Sequence, residues 1–299
     1  MAERTTAKRG MRMAGGACAA LVLLGVGAYV STQFGEDRRV TPRCAVAGPD
    51  GERAFTLRPE QAASAATIEA VASARGLPER AVTIAIATAI QESGLRNIDY
   101  GDRDSLGLFQ QRPSMGWGSA EQVMDPVYAA GAFYDRLVEV PGYRSLPLTV
   151  AAQEVQRSAF PDAYAQHEEE AALLAAALTG RTAAALSCSW DVAERPAGRP
   201  AEVRERLGRE FGEGVRPVGE GTRLTVPLPG GAETRRGWEL AHWAVAHSAE
   251  LGIERISYGN RLWEARRSGD GWQETGQENV ADGAPEVHLS VFAPAESNP

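Results

Sequence analysis

Lysine is almost missing from this chain. Lys8 is the single one among 299 residues, and arginine carries nearly all the positive charge. So little lysine beside abundant alanine and glycine is the composition of a high-GC bacterial gene. With a net charge of -8, no basic surface is available to hold nucleic acid. Histidine and cysteine are scarce too, at four and three. That is too few ligands for a metal permease, and one short apolar run cannot enclose a transport pathway. No tandem repeat appears, so the chain reads as one or more ordinary domains rather than a solenoid.

What is present begins with an uncharged run from Met13 to Val30, preceded by Arg4, Lys8, Arg9 and Arg12. The run is at the lower edge of the length needed to span a bilayer. The basic flank places the N-terminus inside and the remainder outside. The competing reading is a cleaved signal peptide, for which "AYVSTQF" is the best available cleavage context. The expectation is a single-pass cell-membrane protein with a cytoplasmic N-terminus and extracellular domains, held in the lipid bilayer by an uncleaved helix. Cys18 lies in that run. This leaves Cys44 and Cys188 in the exported part, where an even pair reads as one disulfide and the alternative is two free thiols.

Punctuation by proline and glycine divides the rest. Residues 1–30 are the basic stub and anchor, 31–54 a polar linker, and 55–190 a helical domain. A second linker follows at 191–203, then a small mixed module at 204–293 and a tail at 294–299. Within the helical domain, "LRPEQAASAATIEAVASARG" has Pro59 at its start and Gly76 as its stop. "LPERAVTIAIATAIQES" is apolar nearly all round, the mark of a helix buried on every side. "DPVYAAGAFYDRLVEV" offers Asp125 as an N-cap with Pro126 behind it. "LTVAAQEVQRS" and "FPDAYAQHEEEAALLAAALTG" read as two further helices. In the module, "RLTVPL" and "EVHLSVF" read as strands and "TRRGWELAHWAVAHSAELG" as a helix. "ERISYGNRLWEA" reads as a hairpin turning at Gly259-Asn260. The fold class expected is α+β overall, made of an anchor helix, an all-α domain and a small α/β module.

The chemistry concentrates at Glu92, where the buried helix runs out. An apolar surrounding disfavours the charged carboxylate, and so does the negative end of the helix dipole. Both push the pKa up. A carboxyl kept protonated near neutral pH is what glycosidic cleavage requires, because the leaving oxygen must receive a proton. The loop that follows suits a sugar: Asn97, Gln110 and Gln111 offer polar groups, and Tyr100, Phe109 and Trp117 offer ring faces. Phe109 also fits the core, and Trp117 fits core and groove equally. Asp99, Asp102 and Asp104 are candidates for the second carboxylate that most glycosidases use, or turn residues beside glycines.

"ESGLRN" followed by "DSLGLFQQRP" resembles the lysozyme-like domain of lytic transglycosylases, over roughly residues 68–178. The resemblance implies that Glu92 is the catalytic acid/base and that Ser93 is its neighbour in the family's Glu-Ser pair. It also implies that Ser105, Gly107, Leu108 and Gln110 line a glycan groove. Such enzymes let the substrate's acetamide act as nucleophile, so one glutamate is enough. They generally carry Ala-Tyr-Asn or a similar motif on a later helix, touching the acid and the sugar. Here the comparable place reads "AAQEVQRSAFPDAY", with Gln153, Gln156, Arg157, Ser158 and Tyr164 as substitutes.

The C-terminal stretch resembles half of a module related to zinc D-Ala-D-Ala peptidases, found beside cell-wall hydrolases in actinobacteria. It is degenerate, for only His288 matches a ligand position. His242 and His247, five apart, point to different helix faces. No metal and no other cofactor are therefore expected. Two functions stay open. One is an anchored muramidase or transglycosylase acting on peptidoglycan glycan strands through Glu92. The other is a scaffold that binds glycan or cell-envelope protein partners without turnover.

Overall fold

The computed structural model describes residues 41–48, 51–194, 196–228, 234–275 and 286–293. From Thr41 onward the chain forms one compact unit. The first described element overturns the linker reading. β1 (Arg43–Ala47) and β2 (Arg53–Leu57) form an antiparallel pair, and β1 also pairs with β3 (Leu186–Ser189), giving the order β2-β1-β3. These strands are only four or five residues long. Their alternation, buried at Cys44 and Val46 and less so at Ala45 and Ala47, is too brief to stand out beside glycines and prolines.

The helical region is therefore not all-α: a three-stranded sheet closes its two ends together. The expected disulfide is part of that sheet. Cys44 and Cys188 face each other in the β1/β3 register, bonded, with Cα atoms 3.8 Å apart. The anchor component of the expected fold class is corrected as well. No helix among the described residues is long and apolar enough to cross a membrane. The run from Met13 to Val30 lies outside the described residues.

Between the strands of that sheet lie the helices α1 (Pro59–Ala74), α2 (Glu79–Ser93), α3 (Ala120–Val123), α4 (Pro126–Glu139), α5 (Leu148–Gln156) and α6 (Glu168–Leu178). Asp125 caps α4 as its sequence position suggests, with Oδ1 accepting from the backbone N–H groups of Val127 and Tyr128. α2 is the axis of the region. Every residue from Ala81 to Ala89 is buried, and α1, α4, α5 and α6 all pack against it. The long helix expected from Pro161 to Gly180 begins instead as a 3-10 turn, Ala163–His167, before α6 takes over.

The C-terminal module contains α7 (Pro200–Phe211), α8 (Thr234–Ala246), α9 (Ser248–Leu251) and a five-stranded antiparallel sheet. Its strands are β4 (Arg223–Pro227), β5 (Ile253–Tyr258), β6 (Arg261–Glu264), β7 (Gln273–Glu274) and β8 (Glu286–Val291), in the order β4-β8-β5-β6-β7. The β5/β6 hairpin turns where the sequence places it, with Tyr258 opposite Arg261 and Gly259 at φ +58°.

The module is not strung on a linker. α8 packs against α1, α6 and β3. Arg236 Nη1 donates to Ser73 Oγ at 2.7 Å, and His242 bridges Ala177 O (2.7 Å) and the backbone N–H of Ala185 (3.1 Å). Gly180 must be glycine for this docking: it sits at φ +69°, and a Cβ there would lie 1.9 Å from Arg235 O.

The disulfide closes a loop with a sequence separation of 144, which the chain-entropy account values at on the order of 5 kcal/mol. Replacing both cysteines by alanine should therefore lower Tm by about 10 °C. Thermal melts with and without reductant check this. A wild-type melt that reductant leaves in place, with the thiols shown to be free, is the contrary result.

Candidate functional site

The end of α2 is fixed by backbone geometry. Gly94 and Leu95 both take left-handed conformations, at φ +63° and +57°. Their N–H groups return to Ile90 O (2.9 Å) and Ala89 O (3.0 Å), which satisfies carbonyls the helix would otherwise leave open. Glu92 therefore sits in the last turn with its direction set.

Ser93 then ties the loop to the helix. Its buried hydroxyl has one proton to share between Leu108 O at 2.8 Å and Ala89 O at 3.1 Å, and it accepts from the N–H of Arg96 at 3.2 Å. The loop doubles back on itself through paired bonds between Leu106 and Gln111, both 3.0 Å. Gly107 in that turn has φ +77°, and a Cβ would fall 2.3 Å from Val123 O. No other residue fits.

Glu92 is half-buried, and its partner is Tyr164, whose hydroxyl donates to Oε1 at 2.7 Å. The Tyr164 side chain is fully buried, and the 3-10 turn before α6 delivers it there. Gln156 at the end of α5 lies close enough to the carboxyl to act against the rise in its pKa, and its Nε2 donates to Phe109 O at 2.8 Å. Burial raises the Glu92 pKa, and the hydrogen bonds from Tyr164 and Gln156 offset only part of that rise. Tyr164 is itself raised by burial and then by the neighbouring Glu92. The nearby arginines are engaged elsewhere: Arg96 with Ser93 O, Arg103 with Asp102, and Arg112 with Asp104. Among the described residues none of them pairs with Glu92.

The residues expected to line a glycan groove divide into two groups. Tyr164 and Gln156 meet Glu92. The polar loop residues instead hold the loop. Asn97 Nδ2 donates to Met124 O at 2.8 Å, and the buried Gln111 donates to Ala129 O at 2.9 Å. Gln110 Nε2 turns back to Tyr100 O and Gly107 O, both 3.3 Å. Leu108 and Phe109 are core, with Phe109 stacked on Phe133 at 4.8 Å. Ser105 is buried, and Tyr100 is exposed.

Trp117 is mostly buried beneath Arg136, whose guanidinium carbon lies 3.4 Å from its ring centroid. That arginine had no distinguishing signal in the sequence, because nothing local links position 136 to position 117. Of the candidate second carboxylates, Asp104 is held well below the usual range by Arg112 and then by Ser114. Its oxygens take Arg112 Nε and the N–H of Ser114, both at 2.8 Å. It is a loop clasp.

With this geometry in view, the comparisons with known proteins bear on the other end of the chain. Residues 207–282 match the family model of the VldE C-terminal domain. The match runs from the end of α7 to a point just before β8 and leaves Glu92 outside it. No curated protein matches the chain.

The histidines of that module are dispersed. His242 is buried between two backbone groups, and burial pushes its pKa down to about 4. His247 lies between Glu210 (3.6 Å) and Glu250 (3.5 Å). His288, half-exposed on β8, meets Thr225 Oγ1 at 3.2 Å. Among the described residues no group of three or more His, Cys, Asp or Glu is placed to hold a metal ion.

The raised Glu92 pKa has a consequence for stability. The folded protein keeps this proton to a higher pH than the unfolded chain does. The stability linked to it is therefore full below the unfolded carboxyl value and is lost as pH rises through the folded one. Glu92→Gln has no charge to bury, so it should match wild type near pH 4 and exceed it near pH 7. Paired thermal melts across that range check the sign. A variant less stable at pH 7, or a difference independent of pH, is the contrary outcome.

Proposed function

We propose that the protein is an exported enzyme that cleaves peptidoglycan glycan strands, with Glu92 as general acid and then general base. The observation that carries this reading is the environment of Glu92. It is a half-buried carboxyl at the end of an apolar helix, raised in pKa, held by a tyrosine hydroxyl and, among the described residues, paired with no cation. Such a group keeps its proton to a higher pH than an ordinary glutamate does, and it is only partly covered. The resemblance of "ESGLRN" and "DSLGLFQQRP" to lytic transglycosylases supplies the substrate. The Cys44–Cys188 bond supports an oxidising compartment.

In the reaction, Glu92 gives its proton to the glycosidic oxygen as the C1–O bond breaks. The acetamide oxygen of the same sugar closes on C1. The Glu92 carboxylate then takes a proton from the group that opens this ring. If that group is the sugar's own 6-hydroxyl, the product is an anhydro sugar; if it is water, the product is a hydrolysed end. Tyr164 orients the carboxyl throughout. It occupies an Ala163-Tyr164-Ala165 sequence, so the tyrosine contact of the Ala-Tyr-Asn motif is kept while Ala165 stands where the motif has asparagine.

That missing amide favours the second reading, a protein that holds glycan strands or an envelope partner without turnover. Incubating the purified protein with peptidoglycan and analysing the released muropeptides separates the two. Under the enzyme reading wild type releases fragments, and Glu92→Gln lowers the rate at least about 100-fold while glycan retention persists. Retention without release by wild type favours the scaffold. Release that is unchanged in Glu92→Gln removes Glu92 from the chemistry.

A further inference from the structure

The C-terminal turn of α5 serves two places. Gln156 touches Glu92, and the next residue, Arg157, lines a separate cavity of about 710 Å³. That volume is within the range of small-molecule and short-peptide sites. Arg136 and Glu139 from the end of α4 and Glu154 and Arg157 from α5 supply its charges, over apolar lining that includes Val140 and Val150. Two cations and two anions thus share one cavity. Among the described residues no ion pair joins any of the four, although opposite charges so placed normally find each other.

Arg136 is held in position by Trp117 and by a 3.3 Å bond to Gly116 O. Arg157 is exposed and has a left-handed backbone, φ +52°. Burial and then the charge of Arg157 weaken Arg136's hold on its proton. An anion bound in the cavity both arginines line relieves that repulsion, and the two glutamates lining it complement an ammonium.

We propose that this cavity is a subsite for a short peptide bearing both carboxylate and ammonium groups and small aliphatic side chains, the class that branches from peptidoglycan glycan strands. The branching-peptide identity rests on the glycan-strand reading of Glu92. The charge pattern that selects a zwitterionic peptide does not.

The test is calorimetric titration of the full-length protein with the synthetic tetrapeptide L-Ala-γ-D-Glu-L-Lys-D-Ala. Wild type should bind it, more weakly as salt rises. Arg157→Asn, chosen because asparagine tolerates a left-handed backbone, should weaken binding at least tenfold, and Glu154→Gln should weaken it as well. Arg144→Ala, an exposed arginine outside the cavity, should bind as wild type does. No binding to wild type overturns the subsite, and so does binding that Arg157→Asn and Glu154→Gln leave unaltered.

A second measurement keeps this apart from the enzyme reading. Glycan strands with their peptides intact should show a KM about tenfold below that of enzymatically stripped strands, and Arg157→Asn should erase the difference. Peptide binding without any glycan cleavage keeps the subsite and removes the enzyme. Cleavage that ignores the peptides, with no tetrapeptide binding, does the reverse.

Discussion

A helix buried on every side has to end somewhere, and the way α2 ends governs the rest of the helical region. From Ala81 to Ala89 it has no solvent face, so the chain leaving it can go only where a sharp reversal sends it. Gly94 and Leu95 make that reversal, and Ser93 pins the following loop to the helix by its hydroxyl. Glu92 is thereby left at the boundary between core and surface. The same burial that stabilises the helix makes the charged carboxylate unfavourable. Stability and chemical potential arise from one arrangement.

The loop from Asn97 to Trp117 gives a lesson about polar side chains. Asn97, Gln110 and Gln111 have the groups that hydroxyls and acetamides would pair with, yet each is committed to a backbone carbonyl. A tightly folded loop buries carbonyls that need donors, and side-chain amides supply them. Direct contact with Glu92 comes instead from Tyr164 and Gln156, on elements more than sixty positions further along the chain.

The C-terminal module is joined to the helical region through buried charge rather than through a tether. Glu69 of α1 is buried, and its pKa is raised by burial first and by the neighbouring Glu239 of α8 second. Arg236 ties Glu239 to Ser73 of α1. Within the module, burial raises Glu210 most, but His247, Trp243 and Arg206 together outweigh it and the carboxyl is lowered; Trp243 Nε1 donates to it at 2.7 Å. Arg209 of α7 reaches Asp125, the cap of α4. Breaking one partner of such a set leaves an uncompensated buried charge, which makes the two parts a single folding unit.

Local signals in the sequence determined the elements whose causes are local. The all-apolar pattern of α2, the Asp125-Pro126 cap of α4, the Gly259-Asn260 hairpin and the Val287-Leu289-Val291 alternation of β8 are all present as read. Glu92 at the helix end was legible for the same reason. Tertiary structure decided what depends on distant partners. Strands β1 and β3 are too short to have a period of their own and exist because they pair across 144 positions. The boundary at residues 191–203 looked like a linker because prolines and glycines punctuate a chain whether or not its two sides later dock. Which amide meets the carboxyl and which one holds the loop is settled by distance in space, and sequence spacing carries no record of it.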